Sequence, residues 1–435
     1  MSANPDINAP LALKGRVLTF NDAREPDQYD YWEKGCVLVE NGLISAVGDA
    51  SAIMIPEGAE IVDHGDDLIL PGFIDGHVHY PQMSVIASYG AKLIDWLNTY
   101  TFPEEAKFSN EDYAKATAEF FLAESLKNGF TTSAVFCTIH PESVDAFFTE
   151  AERLGLRMVA GKVLMDRHAP DNLCDTPQTA YDQSKALIEK WHGKGRNLYA
   201  ITPRFAPTSS PEQLEVAGAL YQESDDVYVQ SHVSENVDEI NWVAELFPEA
   251  DSYLDVYNRF KLLGPRTLYG HGIHFSDADI ALAVETDTSI VHCPTSNLFL
   301  GSGLFEYEKL RDAGTRMALG TDVGGGTSLS PFATMKAAYE ITQFRDFSLS
   351  PFAAFHLLTL GGARALHLDE KIGRLASGYE ADLTVIDLNS TDLIRHRMQN
   401  VDSLADTLFA QIVLADDRAI RATYANGAKV YKRDE

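Results

Sequence analysis

Between Phe73 and Asp322 short apolar runs alternate with stretches of helical apolar spacing, and the pattern recurs eight times. The runs are Phe73–His79, Thr132–Ile139, Met158–Met165, Leu198–Phe205, Val227–Val233, Thr267–Gly272, Ser289–Pro294 and Met317–Asp322. Residues 111–127, 141–154, 176–191, 211–223 and 331–344 carry the helical spacing. Parallel strands need crossover connections, and helices both make the crossing and cover the sheet. Eight strand–helix units therefore predict an α/β chain folded as a (β/α)8 TIM barrel. In that architecture the strand carboxyl ends meet in one mouth, where active sites are built. Five of the eight ends carry polar residues in runs otherwise made for burial: His77 with His79, Arg204, His232, His271 and Asp322.

The flanks follow a different pattern. Leu11–Phe20, Gly35–Val39 and Glu40–Val47 read as short strands, with Asn41-Gly42 a strong hairpin signal. After about residue 366 strands return, at Gly373–Asp387 and Ile420–Tyr431, the latter turned at Asn426-Gly427. The expectation is a small β-sandwich joined from both ends, residues 1–70 and 367–435, around a metal-dependent barrel at 71–366.

Charge narrows the partners. Against 35 basic residues stand 64 acidic ones, a formal net charge of -29. That argues against nucleic acid and against an anionic membrane surface, and a neutral or cationic small molecule fits at least as well as a phosphorylated one. Cys36, Cys137, Cys174 and Cys293 are too widely spaced for a zinc ribbon or a disulfide framework, so reduced, mostly buried thiols are expected. No apolar run is long enough to span a bilayer, and no basic-then-apolar signal pattern opens the chain, so a cytoplasmic location is expected.

The chemistry begins at Pro71-Gly-Phe-Ile-Asp-Gly-His-Val-His-Tyr-Pro-Gln82. Alternation along a strand puts His77 and His79 on one face, roughly 6.5–7 Å apart. His232 ends the fifth predicted strand and Asp322 the eighth, so all four side chains point into the same mouth. Three imidazoles and a carboxylate match the ligand types of a catalytic zinc that keeps a position for water. Buried without a partner, the same four groups would be costly. Glu235, three residues past His232, can stand beside the metal without binding it and serve as a proton shuttle if burial raises its pKa. Glu239 is the better candidate for a carboxylate that only caps a helix. His271 can hydrogen-bond the nucleophilic water. The remaining histidines are assigned to packing or to loops.

Six segments are familiar. They are Pro71–Gln82, Ile94-Asp-Trp-Leu-Asn-Thr-Tyr-Thr-Phe-Pro-Glu104, Thr202-Pro-Arg-Phe-Ala-Pro-Thr-Ser-Ser210, Ser231-His-Val-Ser-Glu-Asn236, Cys293–Gly303 and Leu319-Gly-Thr-Asp322. In these the chain resembles the amidohydrolase superfamily and, within it, the guanine deaminases, from about residue 12 to the end. The departure is Gly76, where the family pattern has Thr. The resemblance implies one zinc per chain bound by His77, His79, His232 and Asp322. It implies catalysis by Glu235, Asp322 and His271, and a purine held among His79, Gln82, Arg204, Phe205, His232, Glu235 and Asp322. The implied reaction is hydrolysis of guanine to xanthine and ammonia in purine catabolism. Glu235 protonates ring N3, hydroxide adds at C2, Asp322 takes a proton, and Arg204 donates to the O6 side. Phe205 and Trp96 are candidates to stack on the ring, and a homodimer is implied.

Four other readings are weighed. A two-metal cyclic-amide hydrolase of the superfamily needs a modified Lys ending strand four, and Leu198–Phe205 has no Lys; Lys162 lies on strand three and is expected to pack or pair at the rim. An aminohydrolase for another purine, a pyrimidine or a triazine keeps the metal chemistry and differs at Gln82, Arg204 and the aromatic segments. A metal-free scaffold would have lost a ligand or Glu235, and none is missing. The other zinc deaminase architecture needs Pro-Cys-x-x-Cys, which the chain lacks.

Overall fold

The structure, a computed structural model, describes residues 9–21, 26–89 and 93–434. Residues 1–8, assigned above to the N-terminal β segment, lie outside the described residues. Eight parallel strands run in sequence order: Phe73–His79, Phe130–Phe136, Arg157–Gly161, Leu198–Pro203, Tyr228–Val233, Thr267–His271, Ser289–His292 and Met317–Leu319. The third resumes after Lys162 as Val163–Leu164, which pairs with the fourth. Closure comes at the carboxyl end. His79 N–H donates to Val323 O at 2.8 Å, and Asp322 N–H donates to His77 O at 2.8 Å.

Each strand sends one side chain into a common inner layer: Ile74, Ala134, Val159, Ala200, Tyr228, Leu268, Val291 and Ala318. Ala363, Leu366, Leu368 and Ile372 pack against that layer and seal one end. Two hydrogen bonds fix the plug, from Tyr228 Oη to Leu366 O at 2.6 Å and from Ser289 Oγ to Ala365 O at 2.9 Å. The barrel is thus filled below and open only at the mouth, as side-chain layers require in an eight-stranded barrel.

Helix boundaries follow their caps. Pro177–Trp191, Pro211–Gln222 and Pro331–Gln343 each open with Pro in the first turn behind Thr176, Ser210 or Ser330, whose side chain accepts from a backbone N–H. Proline lacks a donor that would be orphaned there anyway, and each cap contributes about 1 kcal/mol.

The strands end earlier than the apolar runs suggest. Arg204 and Asp322 lie just beyond Pro203 and Leu319, on chain that has already left the sheet. Asp322 (φ 50°) and His271 (φ 76°) adopt left-handed backbone, which costs of order 1–3 kcal/mol each and occurs where function dictates direction.

Both chain ends join one seven-stranded sheet, ordered Ala428–Lys432, Ile420–Ala425, Leu383–Ile386, Glu60–Pro71, Leu11–Phe20, Tyr29–Glu40, Leu43–Asp49. Glu60–Pro71 sits at the junction, antiparallel to Leu383–Ile386 and parallel to Leu11–Phe20. Both Asn-Gly turns form with positive φ, 54° and 77° at Asn41 and Gly42, 49° and 79° at Asn426 and Gly427. The expected strand at Gly373–Asp387 shrinks to Leu383–Ile386, because Gly373 and Gly378 turn at φ 90° and 88°. Helices Asp392–Met398 and Leu404–Leu414 follow it and are absent from the sequence reading. Arg157 and Arg196 tie the sheet to the barrel by sharing Glu380, and Arg196 also binds Asp382, which accepts from Asn426 N–H. All four cysteines are free. No helix among the described residues is long and apolar enough to cross a membrane.

Candidate metal centre and substrate cavity

Alternation and closure together bring four ligands to one point. Nε2 of His232 lies 3.2 Å from Nε2 of His77 and 3.1 Å from Nε2 of His79. Asp322 Oδ1 lies 3.3 and 3.5 Å from the same two nitrogens. Donor atoms about 2.0–2.2 Å from a tetrahedral ion are about 3.3–3.6 Å apart, so the spacing fits one. The chemistry of the donors fits as well. His232 Nδ1 lies 2.6 Å from the carbonyl of Arg204, which can only accept, so the proton is on Nδ1 and Nε2 presents a lone pair. Burial, with the neighbouring imidazoles adding to it, holds His79 and His232 well below the ordinary imidazole value. Neutral lone pairs converging in a dry site repel unless a cation stands between them. His271 and Cys293 also approach His77 and Asp322. Burial pushes the Cys293 thiol well up, away from the thiolate a metal needs, so the three histidines and Asp322 are the better set.

Glycines let the first ligand fit. A Cβ on Gly270 would stand 2.7 Å from His77 Cε1, and one on Gly320 2.8 Å from His77 Cβ. At Gly76 a Cβ would meet Ala318 Cβ and Val291 Cγ1 at 2.9 Å, so these neighbours leave no room for the threonine of the family pattern. Asp75 ties the first ligand to the last. Its carboxylate accepts from His77 N–H at 3.2 Å, Thr321 N–H at 2.9 Å and Thr321 Oγ at 2.5 Å. Burial pushes its pKa up to about 7 against those bonds.

One cavity joins this centre to the other predicted residues: His79, Gln82, Arg204, Phe205, His232, Glu235, His271 and Asp322 all line it. Trp96 lines it too, and its indole N–H has no partner among the described residues. His77 lies behind that wall, in the ligand set.

Glu235 is buried, and burial raises its pKa. Its Oε1 accepts from Ser302 Oγ at 3.0 Å, and its Oε2 lies 3.4 Å from His271 Nε2. His271 Nδ1 meets Asn297 Oδ1 at 2.9 Å, which turns Nε2 toward Glu235 and Asp322. Burial pulls the His271 pKa down, but the charges of Glu235 and Asp322 more than offset it. Glu239 also lines the cavity, yet its oxygens face away. Oε2 accepts from the Glu235 and Asn236 N–H groups at 3.0 and 3.2 Å, and Oε1 from Tyr253 Oη at 2.8 Å. It is the capping carboxylate expected from the sequence, with its pKa raised to about 7, first by burial and then by Glu235.

The amidohydrolase family profile matches residues 68–430. Over 404 residues the chain is 45% identical to guanine deaminase of Escherichia coli (strain K12), covering 92% of each. The chain belongs to the amidohydrolase family, with the guanine deaminases. A solved structure of E. coli guanine deaminase matches this amidohydrolase with a TM-score of 0.95 at 43% identity, over 98% of this chain and 100% of that one. Guanine deaminase from C. acetobutylicum, solved with guanine bound in its active site, matches with a TM-score of 0.87 at 33% identity, over 97% and 100%.

Residues missed by sequence reasoning are the supports of this amidohydrolase site. Asn297 and Ser302 lie inside the familiar segment Cys293–Gly303, so the segment was visible but not the two bonds it makes. Asp75 sits within the opening motif. Glu105 is another such residue: no acidic residue flanks Arg204 in sequence, yet its Nη1 donates to buried Glu105 at 2.7 Å. Lys162 is buried and pairs with Asp175.

Proposed function

We propose that the chain removes the 2-amino group of guanine by hydrolysis, giving xanthine and ammonia, with one zinc ion per chain. The observation that carries this is a single cavity holding three kinds of group: converging ligands, a buried acid beside a histidine, and the donors of Gln82 and Arg204. His77, His79, His232 and Asp322 would hold the ion. When bound it supplies what side chains lack, a water that loses its proton near pH 7.

The chain's own groups do the rest. Gln82 and Arg204 present donors to the 6-oxo edge, and Phe205 contributes an apolar wall on which a planar ring can stack. Glu235, favoured in its protonated form by burial, delivers a proton to ring N3, which makes C2 electrophilic. His271, turned by Asn297, points Nε2 at the reacting side. Asp322 Oδ2, 3.7 Å from His271 Nε2, takes the proton given up by water. A new C2–O bond replaces the C2–N bond: Asp322 passes the water's first proton to the departing amine and Glu235 recovers the second from the C2 hydroxyl, so both groups return to their starting state as ammonia leaves. We place this chemistry in the unit 71–366, in a cytoplasmic homodimer; sedimentation of the metal-loaded protein tests the dimer.

The test of the function is ammonia release from guanine, adenine, cytosine, guanosine and dihydrouracil at equal concentration. Guanine should exceed each of the others by at least about 100-fold, the scale set by a site built to hydrogen-bond its substrate. Comparable release from any of the others would overturn the assignment.

A further inference from the structure

Glu105 belongs neither to the ligand set nor to the lining of the cavity, yet both donors of the cavity's oxo-facing wall end on it. Gln82 Nε2 donates to Glu105 Oε1 at 3.1 Å, and Arg204 Nη1 donates to Glu105 Oε2 at 2.7 Å. All three side chains are buried, with Glu105 at 0% exposure, Gln82 at 2% and Arg204 at 3%. The arrangement fixes direction as well as place. A carboxylate only accepts, so the amide nitrogen of Gln82 must face it. The amide oxygen is held in turn by Gly324 N–H at 3.1 Å. That leaves one N–H of Gln82 unspent. The guanidinium, laid on the Phe102 ring at 5.4 Å from its centroid, has spent one of its five N–H groups on Glu105. Phe102 and Glu105 belong to the same short helix, Phe102–Glu105, so one segment sets both the plane and the rotation of Arg204.

We propose that Glu105 is a positioning residue that makes this wall of the cavity donor-only, by clamping Gln82 and Arg204 at once, and so restricts the site to purines carrying an acceptor at position 6. The proposal rests on the reading that Gln82 and Arg204 meet the 6-oxo group. A 6-amino purine would set donor against donor in a buried place, where neither side can rotate to find a partner. Removing the clamp's acceptor character would free that rotation. In Glu105→Gln one of the two arms offers N–H, so either Gln82 or Arg204 loses its acceptor and must turn.

The test measures Kd by calorimetry on the metal-loaded protein, using hypoxanthine, which has the 6-oxo group and no 2-amino group to hydrolyse, and purine, which lacks both. Wild type should prefer hypoxanthine. Glu105→Gln should weaken hypoxanthine binding about 10-fold or more and move purine binding at most a few-fold, with metal content unchanged. Glu105→Asp keeps the charge but, one methylene shorter, reaches only one arm, and should recover part of the preference. A merely structural role predicts that both ligands weaken together, or that metal is lost, and either result overturns the proposal. If Glu105→Gln does not fold, a wild-type ligand ratio in Glu105→Asp overturns it too. Arg204→Lys separates the two layers. If Arg204→Lys leaves the preference intact, the reading of Arg204 as the 6-oxo partner fails. If it collapses the preference while Glu105→Gln does not, only the clamp fails.

Discussion

Two buried carboxylates, Glu235 and Glu239, share one cavity wall, and replacing Glu239 by glutamine separates their roles. The fold raises the Glu239 pKa from 4.5 to about 7, mainly by burial. A raised carboxyl pKa means that folding favours the protonated form. The stability it allows is fully present below the unfolded pKa near 4.5 and is lost as pH rises through about 7. Each pH unit between the two values is worth about 1.36 kcal/mol, so ionisation of Glu239 costs the folded state about 3 kcal/mol above pH 8. A glutamine in its place cannot ionise and keeps the same three partners: the amide oxygen accepts from the Glu235 and Asn236 N–H groups, and the Tyr253 bond reverses, the NH2 donating to the hydroxyl. Glu239→Gln should therefore match wild type near pH 4.5 and exceed it progressively, to about 3 kcal/mol by about pH 8.5. Urea unfolding at constant temperature across that range, at fixed ionic strength, reads the difference. Turnover near neutral pH should stay within a few-fold. Parallel stability curves, or a variant less stable than wild type at the alkaline end, would refute the reasoning by showing that the charge is tolerated or needed.

Glu235→Gln should keep the metal and the fold while turnover falls about 10²–10⁴-fold, the range for a lost general acid–base group; loss of metal in the same variant would make Glu235 a ligand. His232→Ala should lose the ion, since three ligands remain, and elemental analysis of wild type should give one metal per chain; two would sink the mononuclear reading. Arg204→Ala strands Glu105 as a buried, unpaired charge, so the urea midpoint should drop by the equivalent of about 3–5 kcal/mol along with activity. If its stability stays within about 1 kcal/mol of wild type, the scale of an exposed pair, then Arg204 and Glu105 are not sealed from water.

Local physics made the plan of this molecule readable from its residues. Strand and helix periods differ, so alternation exposed eight units. Period-2 geometry put His77 and His79 on one face, and barrel logic carried His232, His271 and Asp322 to the same mouth. What no spacing contained is which polar groups face each other once the barrel closes. Arg204 finds Glu105 99 residues away, because helix Phe102–Glu105 stands against this wall of the cavity. Asp75 finds Thr321 246 residues away, because the first and eighth strands meet at closure. Asn297 reaches His271, and Ser302 reaches Glu235, from one segment after the seventh strand. Ligand types are set by residue identity and strand phase, which are local. Their tautomers, rotations and charges are set by partners that only a closed ring of strands brings within hydrogen-bond reach, and a buried charge is stable only with such a partner.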